Sequence, residues 1–265
     1  GVYIELTDPS LRRFPLNRLT WKPSSESVIY GLAVETNGYT PNNIDRAEIQ
    51  QGDRPYASTL LIRAFNTSIS EKQQHRTTNT ITAGVLGPWA GGREIQVSIH
   101  RWIGYTKPLG WHNQVRNEPA LNYQLNYEKK ILGDARHLLV TANGMARAGT
   151  LSSKAAVGIA VMSGSFQNPF VIPVTGSKSF YIHVYDQATL NLVGYDATLQ
   201  GGLINRGSPY TIGAASINRV VFQNRFGLVL NYRSIMLEYW QSFITREYTT
   251  GIEPKTGGLQ IAMRL

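Results

Sequence analysis

The feature that most limits what this chain can fold into is a period of two in its apolar residues, repeated along almost the whole length. In "SFYIHVY", Phe180, Ile182 and Val184 fall on one side of an extended chain, and Tyr181, His183 and Tyr185 on the other. Residues i and i+2 of a strand share a face, so such a run has one apolar and one polar side. "GGLQIAMRL" repeats the pattern, with Leu259, Ile261, Met263 and Leu265 opposite Gln260, Ala262 and Arg264. "VYIEL", "SVIYGLAVE", "STLLIRAFN", "TNTITAGVL", "ALNYQLNYE", "HLLVTANGMARAG", "AAVGIAVMSG", "FGLVLNYRS" and "IMLEYWQSF" do the same. These runs, separated by Gly, Asn, Pro or Ser turns, predict about twelve strands, most of about ten residues. No unit recurs at a fixed spacing, which excludes propellers and solenoids.

The polar faces of these runs are rich in Gly, Ala and Ser. A two-sheet sandwich needs bulk on its inner faces; a barrel with a wet or plugged interior does not. Composition agrees. Charged residues make up 16% of the chain, against about 25% in soluble domains, while Tyr (14) and Gly (25) are plentiful. Such a balance suits strands with one face in lipid and the other toward a polar lumen. The longest apolar run, Ala155 to Met162, is far short of the roughly 20 residues that cross a bilayer as a helix. No linker divides the chain, so residues 1–265 read as one all-β domain, a transmembrane antiparallel barrel. A last strand closing on a large apolar residue, here Leu265, is common in exported barrels. With no basic segment and apolar core after Gly1, the expectation is the mature form of an exported protein. The absence of cysteine excludes disulfides, zinc–thiolate centres and a thiol nucleophile.

The formal net charge is +9. Lys and Arg are scattered singly, densest at "LRR" and "EKK", without the clustered footprint of a nucleic-acid binder. The remaining readings are plain solubility or a polyanionic partner such as the phosphates of a glycolipid.

Alternation breaks down over residues 91–116. "GGREIQVSIHRW" predicts a short helix that sets Gln96 and His100, four apart, on one face. A histidine beside an amide can act as a general base; the same pair can equally bond loop backbone. In "IELTDPS", Asp8 before Pro9 reads as a strand-ending turn. It also reads as one oxygen ligand for a cation such as calcium, which needs six to eight. "QGDRPYAS" opens a strand, with Pro55 at a permitted position, and Asp53 and Arg54 read as a surface pair. Gly-x-Ser-x-Gly, HExxH, EF-hand and phosphate-loop motifs are all missing.

"QQGDRPYA", followed by "GVLGPWAGGREIQVSIHRWIGYTKPLGWHNQVRNEPALNYQLNYE", resembles the outer-membrane lipid A 3′-O-deacylases of LpxR type. The likeness is strongest over 51–128 and looser through "ATLQGGL" and the last strands. It implies a bacterial outer-membrane barrel with both chain ends at the periplasmic end and its active site toward the outer leaflet. It further implies calcium-dependent hydrolysis of the ester that holds the 3′-acyloxyacyl chain of lipid A. A histidine would take a proton from water, and calcium, held partly by an N-terminal aspartate, would stabilise the oxyanion. On this resemblance His100 matches the base, Gln96 its neighbouring amide and Tyr105 the tyrosine that follows. Arg46 matches a basic residue of the third-strand loop, and Thr7 with Asp8 the metal-binding pair. The chain departs from the family where Thr7 replaces an asparagine. It departs again where "RFPLNR" (Phe14, Pro15, Leu16 and Asn17 within it) replaces a Tyr-Thr-Asn-Gly-like turn, since Pro15 offers no hydroxyl. Two functions follow: a lipid A deacylase, or a silent barrel that binds lipopolysaccharide or serves an outer-membrane protein assembly.

Overall fold

A computed structural model describes residues 1–21, 27–134, 136–172 and 180–263. Eleven strands among these form one sheet in chain order, each antiparallel to the next. They are β1 (Val2–Thr7), β2 (Ser27–Tyr39), β3 (Ala57–Ser70), β4 (His75–Leu86), β5 (Glu118–Gly133) and β6 (Leu138–Gly149). β7 (Ser152–Ser165), β8 (Phe180–Asp196), β9 (Val220–Tyr232), β10 (Ile235–Ile244) and β11 (Lys255–Met263) follow. Each alternating run of the sequence supplies one strand; Ser179, Arg264 and Leu265 lie outside the described residues.

The two faces separate as the pattern requires. Val157, Ile159 and Val161 of β7, Ile182, Val184 and Leu190 of β8, and Phe222, Phe226 and Leu228 of β9 are all exposed. Residues of opposite parity, such as Asn122, Arg147, Lys154, Asn191 and Gln223, line a cavity of about 490 Å³. Every strand from β2 to β11 contributes to that cavity. Only a sheet rolled upon itself can do this, so the polar face encloses a lumen and the apolar face looks outward. No ladder joins β1 to β11 among the described residues. Because an odd number of antiparallel strands enters at one end and leaves at the other, Val2 and Met263 lie at opposite ends of the sheet.

The two ends of the wall differ. Connections 40–56, 87–117, 197–219 and 245–254 gather at one end, while the tight turns 71–74 and 233–234 lie at the other. At the loop-rich end Ala57, Leu61, Leu86, Val115, Ala120, Leu151 and Ala197 pack together. At the other end Ile69, Leu139, Phe166 and Phe170 form a second cluster. The lumen is therefore polar in the middle and apolar toward both ends.

The segment after β1 folds over the outer wall. Asp8 caps a 3-10 turn, Pro9–Arg13, by accepting the Ser10 amide at 2.7 Å. A single helical turn, α1 (Pro15–Arg18), follows with Pro15 at its first position, where its fixed φ suits helix entry. Asn17 is fully buried and donates to the carbonyls of Leu11 at 2.9 Å and Gly31 at 3.4 Å. Asn66 donates to Thr20, and the Tyr123 hydroxyl donates to Asn79 at 2.9 Å. Asn66 shares the outward parity of Leu60 and Ile62 on β3, and Asn79 is its cross-strand partner. Bare amides there would face hydrocarbon without partners, at several kcal/mol each; the strap covers them.

The outward face predicts its own test. Ile159→Arg should lower unfolding free energy in lipid vesicles by about 2–4 kcal/mol. Gln187→Arg, placed on the lumen side, should change it much less. Urea titration followed by tryptophan fluorescence reads both.

Candidate functional site

The segment that breaks the alternation forms helix α2 (Gly92–Trp102) at the loop-rich end. Gly91 precedes it at φ 70°, a left-handed conformation that glycine adopts without strain. Gly92 lies directly against the start of β3, since a Cβ there would come within 2.3 Å of the Ser58 side chain. Glu94 in the first turn and His100 and Arg101 in the last oppose the helix dipole favourably.

Gln96 and His100 share the inner face of α2 as their spacing predicts, yet they do different things. The Gln96 carbonyl oxygen accepts the Trp111 indole N–H at 2.7 Å and so ties the 110–113 turn to the helix. His100 Nδ1 lies 2.6 Å from the Thr106 carbonyl oxygen. A carbonyl only accepts, so Nδ1 carries the proton and Nε2 of the neutral ring is left as a proton acceptor. Tyr105 packs edge-on against the imidazole with ring centroids 5.1 Å apart, and its amide donates to the His100 carbonyl at 2.8 Å. The 44–47 stretch is drawn to the same loop: the Leu109 amide donates to Ile44 at 2.9 Å and Asn113 to Ala47 at 2.8 Å. Arg46 is exposed on this surface. Beside it α2 shows solvent a row of Ile95, Ile99, Trp102 and Ile103, with Trp102 86% exposed.

Thr7 and Asp8 stand elsewhere. Thr7 pairs with Gly31 and the Asp8 amide donates to Tyr30. Gly38, eight residues further along β2, is where Trp111 of the α2 region approaches. At roughly 3.3 Å per residue that is about 26 Å of strand. The hydroxyl and amide of Ser10 hold the Asp8 carboxyl below the usual carboxylate range. Among the described residues no three His, Asp or Glu side chains gather as a metal site. Calcium needs six to eight oxygens at about 2.3–2.6 Å; Thr7 and Asp8 do not combine with His100 to supply them. His100, Gln96, Tyr105 and Arg46 are thus brought to one surface, and Thr7 and Asp8 to another.

Asp53 and Arg54 are more than a surface pair. The Arg54 side chain is 14% exposed and ion-paired to Glu247. It also donates to Thr198 Oγ1 at 3.0 Å, and its guanidinium lies 4.6 Å from the Tyr39 ring centroid. Asp53 accepts from the Asn42 amide at 2.9 Å and the Tyr248 hydroxyl at 3.3 Å. Burial and the carboxylate nearby push the Tyr248 hydroxyl up. Neighbouring charges here serve different partners, the farthest 195 residues away, which local reading of "GDRP" had no means of finding.

A lipid-facing strand surface, a polar lumen and loops crowded at one end define an outer-membrane barrel protein. Within that class, a family model described as outer membrane protein LpxR matches residues 4–265. The chain belongs to this family and is an outer-membrane protein. Among solved structures, LpxR from Salmonella typhimurium has the same fold, with a TM-score of 0.78, 20% identity and 99% of each chain covered. No curated protein sequence matches.

The tie made by Arg54 gives a second expected outcome. Arg54→Ala should cost roughly 2–3 kcal/mol, between exposed and fully buried ion pairs. Thermal unfolding in detergent, together with faster proteolysis of the 40–56 and 245–254 loops, measures it.

Proposed function

We propose that the chain is a lipid A ester hydrolase that removes the 3′-linked acyloxyacyl chain, with His100 as general base. The observation that carries this reading is the bond from His100 to Thr106, which fixes the tautomer with Nε2 as the proton acceptor. A water bonded to Nε2 would lose its proton as its oxygen attacks the ester carbonyl. The imidazolium would then give that proton to the sugar oxygen as its bond to the acyl carbon breaks, releasing the sugar alcohol and the fatty acid. Gln96 acts at one remove, by holding the Trp111 turn against the helix. Arg46 supplies a positive charge where a lipid A phosphate would lie, and the Ile95–Ile99–Trp102 row suits acyl chains. α2 lies at the loop-rich end, the side that faces outward in outer-membrane barrels. Family membership supports the same substrate class. Calcium enters none of these steps, because Thr7 and Asp8 do not meet His100.

That separation favours a second reading, a silent barrel that binds lipopolysaccharide or a protein partner. Pro15 fits it as well, since its place is the first turn of α1 in the strap and not a ligand position.

Mass spectrometry of lipid A from expressing cells separates the two, with calcium and with a chelator. Loss of one acyloxyacyl unit with the native chain, falling by about 10²–10⁴ in rate for His100→Ala, is the expected result. Unchanged lipid A from both forms, each shown to be folded in the outer membrane, would sink the hydrolase and leave the binding barrel. Activity that survives the chelator would fit the geometry of Thr7 and Asp8; activity abolished by it would mean that other oxygens hold the ion.

A further inference from the structure

The lumen sets two like charges directly opposite one another, with no carboxylate among the described residues in ion-pair contact with either. Arg147 on β6 and Lys154 on β7 are direct cross-strand partners, and both line the 490 Å³ cavity. Like charges placed directly opposite one another weaken a ladder. Other lumen cations have carboxylates: Arg54 pairs with Glu247, Arg63 with Glu35 at 2.8 Å, and Arg225 with Glu238 at 2.8 Å. Among the described residues neither Arg147 nor Lys154 has a carboxylate within ion-pair distance. Asp196 faces the same space with its charge intact but directs its oxygens to the Thr198 amide at 2.8 Å and hydroxyl at 2.6 Å, while Glu35 and Glu247 there are held by Arg63 and Arg54.

We propose that Arg147 and Lys154 form an oxyanion site for phosphate or a phosphomonoester inside the barrel. Two unit positive charges match a phosphate dianion, and a guanidinium beside an ammonium is a recurrent way of holding one. Arg147 is already aimed: its Nε donates to Gln124 at 2.6 Å and one terminal nitrogen to Ser152 at 3.2 Å. The other terminal nitrogen has no protein acceptor among the described residues. The Asn122 oxygen is taken by the amides of Leu151 and Ser152 at 3.2 and 3.3 Å, so its NH₂ is the end free to donate into the cavity. Beside Lys154 the β7–β8 register shifts, leaving Gly194 unpaired; bulges of this kind re-aim side chains next to sites. Lys154, Asn191 and Gln223 also line a second cavity of about 340 Å³. The ammonium thus stands where the two chambers meet, with room for an organic group on the phosphate. Ionisable side chains at membrane depth that face an interior cavity usually mark a ligand or ion path. The site is independent of the ester-hydrolysis reading and shares no residue with it.

Calorimetry and thermal unfolding of the folded barrel in detergent test the site, with inorganic phosphate in one series and glucosamine 1-phosphate in another. The native chain should bind at least one of them saturably and melt at a higher temperature with it. Lys154→Gln should weaken binding by about tenfold or more, as loss of one charge-assisted bond implies, while Lys154→Arg retains most of it. Lys154→Glu, which would pair with Arg147, should melt higher than the native chain without ligand and bind neither compound. Tighter binding of the sugar phosphate would identify a phosphomonoester site, and equal binding a site for the phosphate group alone. Absence of saturable binding to the native chain, or native affinity in Lys154→Gln and Lys154→Glu, would overturn the proposal.

Discussion

In hydrocarbon a peptide N–H or C=O has no water to turn to, and each one left unpaired costs several kcal/mol. This fixes the architecture before any side chain is considered. Continuous ladders from β1 through β11, each strand bonded to its chain neighbour, are the solution adopted where no helix among the described residues is long and apolar enough to cross a membrane. Alternation then follows as a consequence. Once the wall separates lipid from water, each strand must place one parity outside and the other inside, and a slip of one residue would invert both faces. The strap of residues 8–21 obeys the same constraint in a less regular way. It brings Thr20 to the outward Asn66 amide that the ladder does not serve, while Asn17 donates to the Gly31 carbonyl of β2.

Pairing also explains how the lumen can be so polar. Its side chains lie where water or other side chains can solvate them, so Arg, Lys, Glu and Asn stand at membrane depth without meeting lipid. Most of these charges neutralise one another across the space, Arg63 with Glu35 for instance. Among the described residues the apolar clusters gather at the two ends, where loops and turns pack like an ordinary core.

Fold and face assignment were legible in the sequence because a period of two is a local property: Phe180, Ile182 and Val184 declare their side without reference to any other strand. Helix α2 was legible for the same reason, through the four-residue spacing of Gln96 and His100. What could not be read depends on contacts between distant segments. That Gln96 serves Trp111, that His100 is held by Thr106, and that Arg54 reaches Glu247 are facts of loop packing with no periodic trace. The distance between Asp8 and α2 is of this kind too. It follows from the register of β1 on β2, and register is set by the whole hairpin and not by the residues that a motif names.

The bonds between the 40–56 and 245–254 loops join segments far apart in the sequence. Arg54 and Glu247 are separated by 193 residues, and Thr250 closes on Gly52 in the same place. Bringing such remote segments together is entropically slow and comes after local hairpins have formed. The loop that carries Arg46, and through Ile44 and Ala47 steadies the turn beside His100, therefore acquires its final shape only when the last hairpin is in place. Assembly of the surface around the histidine is in this way a report on completion of the wall: a barrel arrested before β10 and β11 would have its helix but not the setting that the helix needs.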